Sequence, residues 1–186
     1  MLYDCDSKFA LSTQGPLRGE PLVDPDSYRH ILAAFSRAIF DAKRQQRLVR
    51  PRQLLPSRGG TRDAADAAAR YRVLIAAAFY TAADADLAFL VDYARAGGHL
   101  VVGPRTGYGD EEGRARAERT PARIADAAGV WYDEIASLPS PVPVRGTLRG
   151  SATGFAEGLV AFKGEWLLYV GLADSRLGVS TAPMRG

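Results

Sequence analysis

Three stretches of this sequence hold side chains that could do chemistry. Asp4-Cys5-Asp6-Ser7 sets a thiol and a hydroxyl among carboxylates, Tyr80-Thr81 ends an apolar run, and Gly103-Pro104-Arg105-Thr106-Gly107-Tyr108 is a glycine-flanked loop with one arginine. A cysteine nucleophile needs a base in reach to take its proton. The histidines are His30, inside a helical pattern, and His99, which begins a strand at the end of a sheet opposite the loops. Nucleophilic catalysis therefore lacks its base. Arg105 in a glycine-rich loop suits a phosphate, but neither the G-x-G-x-x-G spacing nor the Gly-Lys-Ser/Thr of a P-loop is present. A glycosidase needs two carboxylates, about 5 Å apart in retaining enzymes. Asp110-Glu111-Glu112 and Asp133-Glu134 read more simply as a solvated helix start and a polar strand exit. One cysteine and two distant histidines make no metal-ligand set. No catalytic residue, cofactor or metal site is expected.

The elements that would position these residues read as follows. Val73 to Tyr80 is a continuous apolar run, the pattern of a strand buried on both faces of a parallel sheet. Thr81 offers an N-cap oxygen and Asp84 a capping-box acid, so a helix is expected to start there. Leu87, Leu90, Val91 and Ala94 recur at helical spacing, and Gly97-Gly98 end the helix. His99 to Val102 is a second short strand, which completes a strand–helix–strand crossover whose exit is the Gly103–Gly107 loop.

Around this unit, Leu2-Tyr3 reads as a first strand with Asp4 to Ser7 as its polar exit loop, and Cys5 is expected to be a buried, structural thiol. A strand at the very first residues is unusual, and the expectation is a chain that was cut from, or has lost, a longer N-terminal part. Pro25-Asp26-Ser27 starts a long amphipathic helix through Tyr28, Ile31, Leu32, Phe35, Ile39 and Ala42. Arg47 to Arg50 is a short second strand, and Pro51 to Arg70 a loop with one weak helix. Gly107 to Arg119 is charged and flexible. Thr120-Pro121 caps a helix with Ile124, Ala127 and Ala128 inward and Gly129 at its end, and Val130-Trp131-Tyr132 is the next strand. Beyond Pro139, strands are expected at Val142 to Leu148 and Trp166 to Leu172, with a weak helix near Phe155 and no closing element at Met184-Arg185-Gly186.

YRVLIAAAFY, AGGHLVVGPRTGYGDE, LYDCDSKFAL and AGVWYDEIASL together resemble the middle domain of glycoside hydrolase family 42 β-galactosidases, often called the trimerisation domain. The resemblance runs from the start to about Leu138 and continues through GFAEGLVAFKGEWLLYV. It implies a non-catalytic assembly domain that packs beside a (β/α)8 barrel and contributes trimer contacts, while the barrel hydrolyses terminal β-galactosides. A barrel takes roughly 200 residues or more, and this chain cannot hold one beside the domain described.

Alternating strands and helices predict an α/β fold: a doubly wound, mostly parallel sheet of flavodoxin-like order 2-1-3-4-5, with helices on both faces, the architecture shared with class I glutamine amidotransferases. The 186 residues fit one domain, its core over 1–138 and its C-terminal strands over 139–186. In such a fold the loops beyond the strands' C-terminal ends form the working surface. The expected contact residues are Asp4, Asp6, Ser7, Gly103, Pro104, Arg105, Thr106, Gly107 and Tyr108, with Arg105 holding its loop against Asp4 or Asp6. The alternative is a small flavodoxin-like or amidotransferase-like enzyme using the loops around Cys5 and Arg105.

Composition narrows the partners. A net charge of +3, with lysine only at positions 8, 43 and 163, makes the basic balance almost wholly arginine. The cluster Lys43-Arg44-Gln45-Gln46-Arg47 with Arg50 and Arg52 lacks aromatic interleaving, so a solvated helix end is expected and not a nucleic-acid site. No apolar run approaches the roughly 20 residues of a membrane span. A single cysteine fits the reducing cytoplasm. The expected partners are further copies of the chain, as a trimer, or a glycosidase barrel, with Trp131, Trp166 and the tyrosines as candidate interface anchors.

Overall fold

The computed structural model describes residues 1–13, 24–128, 131, 136–137, 142–144, 150–162, 165–172 and 176–183. It is a mixed α/β structure that divides into two compact units, one of Met1–Leu11 with Gln46–Ala128 and one of Ser12–Gln45 with Gly129–Gly186.

The first unit is built on the expected crossover. Strands β1 (Val73–Ala76) and β2 (His99–Val102) pair in parallel, Val73 opposite His99 and Ala76 opposite Val102. Between them runs the longest helix of this unit, Asp84–Arg95, which buries Leu87, Leu90, Val91 and Tyr93. Gly97 ends it at φ +91°, a backbone state that side chains disfavour. Gly98 has a different reason: a Cβ there would lie 2.3 Å from Cζ of Tyr93. That ring needs its place, because the Tyr93 hydroxyl donates to the Tyr71 carbonyl at 2.5 Å.

The apolar run after Arg72 is a strand only as far as Ala76. Ala77 to Tyr80 stay buried but leave the sheet, because the carbonyls of Phe79 and Tyr80 accept from Gly107 and Gly109 of the loop that follows β2. Periodicity reports burial, and here burial outlasts the strand. Thr81 is not the helix cap. Ala83 occupies that position, and Thr81 is buried and bridged to Gly109.

Leu2 and Val49 form one parallel bridge in place of two full strands, and the Leu2 N–H donates to the Ile75 carbonyl at 2.8 Å. Asp4 to Ser7 is not a loop. Helix α1 covers Cys5–Thr13, and Cys5 is exposed, not buried, because it takes the first helical position and points away from the core. The Pro51–Arg70 stretch is ordered as two 3₁₀ turns, Pro51–Gln53 and Pro56–Arg58, and a helix, Ala64–Arg70. Leu54 and Leu55 between the turns are fully buried beside Leu74, Phe79 and Leu90 in the core.

After β2 the chain is tied down and not loose: Asp110 N–H bonds the Arg114 carbonyl and Arg116 N–H the Tyr108 carbonyl. The last helix of the unit is Ile124–Ala128, beginning after Thr120-cis-Pro121 and not at it. Ile124 is buried, but Ala127 and Ala128 are exposed. Gly129, Val130 and Tyr132 lie outside the described residues, and Trp131 is not in a strand.

The second unit contains helix α2 (Ser27–Asp41), as its 3–4 spacing predicts, with Tyr28, Ile31, Leu32 and Phe35 buried. It also contains a five-stranded antiparallel sheet, which replaces the expected continuation of a mostly parallel one. Its strands are β3 (Ala136–Ser137), β4 (Val142–Val144), β5 (Gly150–Phe162), β6 (Glu165–Leu172) and β7 (Arg176–Pro183). The order is β3-β5-β6-β7, with β4 also on β5, and α2 lies against β7. Strand β6 stands where Trp166 to Leu172 is expected; Phe155, expected in a helix, is in β5. Met184 to Gly186 lie outside the described residues.

Candidate functional site

The chemistry-bearing residues at the sequence's two strand ends do meet. Asp4 precedes helix α1 and its Oδ2 accepts from the Ser7 N–H at 2.9 Å and from the Ser7 hydroxyl at 2.5 Å. This is a side-chain N-cap, and it explains why a polar strand exit became a helix. The Ser7 oxygen accepts in turn from the Thr81 N–H at 3.1 Å, and its hydroxyl lies 3.3 Å from that of Thr81. Asp4, Ser7 and Thr81 are all buried, Ser7 completely. The network therefore locks the start of α1 to the segment after β1. Ser7 has a carboxylate beside it, yet no substrate reaches a hydroxyl with no exposed surface.

Asp6 points elsewhere. Its carboxylate is paired with the Arg58 guanidinium, in the turn Pro56–Arg58. The residue before it, Ser57, donates from its N–H and its hydroxyl to the carboxylate of fully buried Asp86, at 3.0 and 2.5 Å. Burial lowers the Arg58 pKa, but the hydrogen bond it donates to Asp6 and the charges of Asp6, Asp4 and Asp86 outweigh it and hold the guanidinium above its ordinary value. Arg58 is thus a cation that faces Asp6, Asp4 and Asp86, and sequence reasoning missed it. The signal available was Leu54-Leu55 bracketed by Pro51 and Pro56, an apolar pair that a solvated loop would not carry.

The Gly103–Tyr108 loop is buried except at Tyr108, whose ring stacks on Tyr80 with centroids 5.4 Å apart. Gly103 is required: a Cβ would lie 2.0 Å from the Ala77 carbonyl oxygen. Pro104 and Arg105 are buried, and Arg105 sits at φ +54°. Thr106 is fully buried and donates its hydroxyl to the Ala76 carbonyl at 3.0 Å. Gly107, at φ +69°, donates to the Phe79 carbonyl at 2.8 Å. The loop seals the end of the small parallel sheet.

A second clip holds the front of the Asp84–Arg95 helix. Asp84 accepts from Arg116 at 2.6 Å and from Arg123 at 2.7 Å, and Arg116 also donates to the Ala82 carbonyl at 2.6 Å. The hydrogen bonds from Arg116 and Arg123 hold the Asp84 carboxyl below its ordinary pKa.

His30, on α2, lies 3.0 Å from the carboxylate of Asp24, which precedes that helix, and His99 is exposed at the start of β2. Among the described residues no three of His, Cys, Asp and Glu are grouped to hold a metal ion, and no helix is long and apolar enough to cross a membrane. What these side chains do is fix one backbone segment against another.

The chain matches the family model described as the β-galactosidase trimerisation domain over residues 61–162, more than half of its length. No curated protein sequence matches it. Among solved structures it is similar to the polyextremophilic β-galactosidase of the Antarctic haloarchaeon Halorubrum lacusprofundi, with 22% identity and a TM-score of 0.70, over 98% of this chain and 27% of that one. The cold-adapted β-galactosidase of Rahnella sp. R3 gives 17% identity and a TM-score of 0.68, over 98% of this chain and 28% of that one. A β-galactosidase structure from Bifidobacterium adolescentis gives 20% identity and a TM-score of 0.53, over 98% of this chain and 90% of that one. The chain thus spans about a quarter of the length of the first two. It belongs to the β-galactosidase trimerisation domain family.

Proposed function

We propose that the chain is the non-catalytic assembly part of a family 42 β-galactosidase, or a relative of one, that associates as a trimer and packs against a glycosidase barrel. The family match across 61–162 carries this reading. The sealed sheet end supports it, since Ser7, Thr81 and Thr106 spend their hydroxyls on backbone and side-chain partners inside the fold. The backbone bonds that place Leu2 between Val49 and Ile75, with β2 beyond β1, support a flavodoxin-like order of the first four strands and a doubly wound, amidotransferase-like core. On this reading residues 1–186 act as one assembly module, and the Gly103–Tyr108 loop with Asp4, Asp6 and Ser7 shapes its contact face. The single cysteine supports a cytoplasmic setting, and neither nucleic acid nor membrane is a partner.

Light scattering across a concentration series tests the assembly, with a trimeric mass expected. A strictly monomeric mass at high concentration would remove self-association from the function. A chromogenic β-galactoside tests the division of labour: the chain alone is expected to give no turnover, and activity that vanishes on Asp133→Asn or Glu134→Gln would overturn it.

A further inference from the structure

Residues 41–48 are all exposed, and from Arg44 to Leu48 they belong to neither helix nor strand. Helix α2 ends at Asp41, and Lys43 turns out of it at φ +57°. The N–H groups of Lys43 and Arg44 still close that last turn on the Phe40 and Ile39 carbonyls. The next tie is at Arg47, whose carbonyl accepts from the Met1 ammonium at 2.8 Å. Between these two points, among the described residues, Gln45 and Gln46 make no hydrogen bond. The same link carries Lys43, Arg44 and Arg47. By contrast, exposed Arg29 and Arg37 lie within α2, the Arg72 carbonyl accepts from the His99 N–H, and the Arg114 carbonyl accepts from the Asp110 N–H.

We infer that Lys43-Arg44 is a nicking site for an endoprotease selective for basic residues, and that the nicked chain stays assembled. Such an enzyme must draw several residues into extended form in its cleft, so it selects exposed backbone that opens without breaking the fold. Gln45 and Gln46 break no hydrogen bond when they are drawn out. The cut adds one water across the Arg44–Gln45 peptide bond, leaving a carboxylate on Arg44 and an amine on Gln45; the Lys43–Arg44 bond is cut in the same way. Each compact unit contains chain from both sides of the cut, residues 1–11 with 46–128 in one and 12–45 with 129–186 in the other. In the first, Leu2 is bonded to Ile75, Tyr3 to Val49 and Ser7 to Thr81, and Asp6 is paired with Arg58. In the second, α2 lies against β7. A cut in the link removes none of these contacts.

Lysine stands only at positions 8, 43 and 163, so a lysine-specific endoprotease meets few competing sites. Lys8 lies within α1, where its N–H donates to the Asp4 carbonyl. The full chain is digested without denaturant at a low protease ratio, and the products are read by intact mass. The first cut is expected after Lys43, giving pieces 1–43 and 44–186 that elute from a sizing column together, where the undigested chain does, and part only in denaturant. Trypsin in place of the lysine-specific enzyme should make its first cut within Lys43 to Arg47. The triple variant Lys43→Gln, Arg44→Gln, Arg47→Gln changes only exposed side chains and should lose that early trypsin cut. A first cut after Lys8 or Lys163, a first trypsin cut outside the link, an early cut that survives in the triple variant, or pieces that part on the native column would each overturn the proposal.

Discussion

Arg58 closes an ion pair with Asp6 across 52 residues of sequence, joining the turn at Pro56–Arg58 to the first turn of helix α1. The pair is partly open to water, with the Arg58 side chain 27% and the Asp6 side chain 55% exposed. Arg58→Ala is accordingly expected to cost about 1 kcal/mol, the upper end for a pair so exposed. Asp6→Asn should cost a similar amount, and the double variant little more than either. Urea unfolding of the three variants measures this; fully additive losses would mean the two residues act apart.

The Asp4–Ser7–Thr81 network is wholly buried, so its loss is dearer. Ser7→Ala deletes a donor to Asp4 and an acceptor for the Thr81 N–H. Leaving these groups unsatisfied is expected to cost about 1–3 kcal/mol. The measurement is a thermal or urea transition, and a change near zero would mean that water takes over the hydroxyl's role.

Two glycines separate crowding from conformation. Gly103→Ala drives a methyl into the Ala77 carbonyl, a backbone group that cannot turn aside. Gly59 sits at φ +83° with open space around its missing Cβ, so Gly59→Ala meets only the left-handed penalty. The expected losses are about 3 kcal/mol or more for the first and about 1–2 kcal/mol for the second. Comparable losses would say that the backbone at Gly103 relaxes.

Acid stability tracks Asp84. Its folded pKa is depressed by Arg116 and Arg123, so its contribution is present above the ordinary carboxylate value and fades as pH falls through the lower folded value. Stability should therefore drop on acidification below the ordinary carboxylate range. In Asp84→Asn that part of the pH dependence should be missing, with the loss already present at neutral pH. A pH series of urea midpoints checks it; identical acid limbs in the two proteins would assign the effect to other carboxylates.

What was legible in the sequence was local. The crossover from Val73 to Val102 could be read because its glycines and its periodicity fall within one short span, and β2 begins and ends at His99 and Val102 as expected. Thr81 misled because its hydroxyl suits a cap, yet it is buried against Ser7, a partner 74 residues away. Asp4 was legible as a polar residue but not as the cap of α1, since the helix it starts carries almost no amphipathic signature: Phe9 is exposed and Ser7 buried. The antiparallel sheet escaped because its pairing is a relation between strands and not a property of any one. Lys163-Gly164 between two apolar runs was the hairpin signal to weigh.

Arg105 offers the sharpest test of what the sealed loop is for. It is a buried cation at φ +54°, so the chain tolerates both a conformational penalty and a desolvated charge at one residue. Such a position persists only when its surroundings hold it. Arg105→Ala keeps the unfavourable backbone and deletes the guanidinium, and should destabilise the chain by roughly 1–3 kcal/mol, the range for hydrogen bonds to a charged group. Arg105→Gly deletes the same side chain but relieves the backbone, and should recover about 1 kcal/mol of that loss. Both are read from urea midpoints, with oligomeric mass followed in parallel. If Arg105 instead serves a phosphate, both variants would abolish saturable nucleotide binding while the midpoint stays where it was, and the loop would have to be reassigned from structure to ligand.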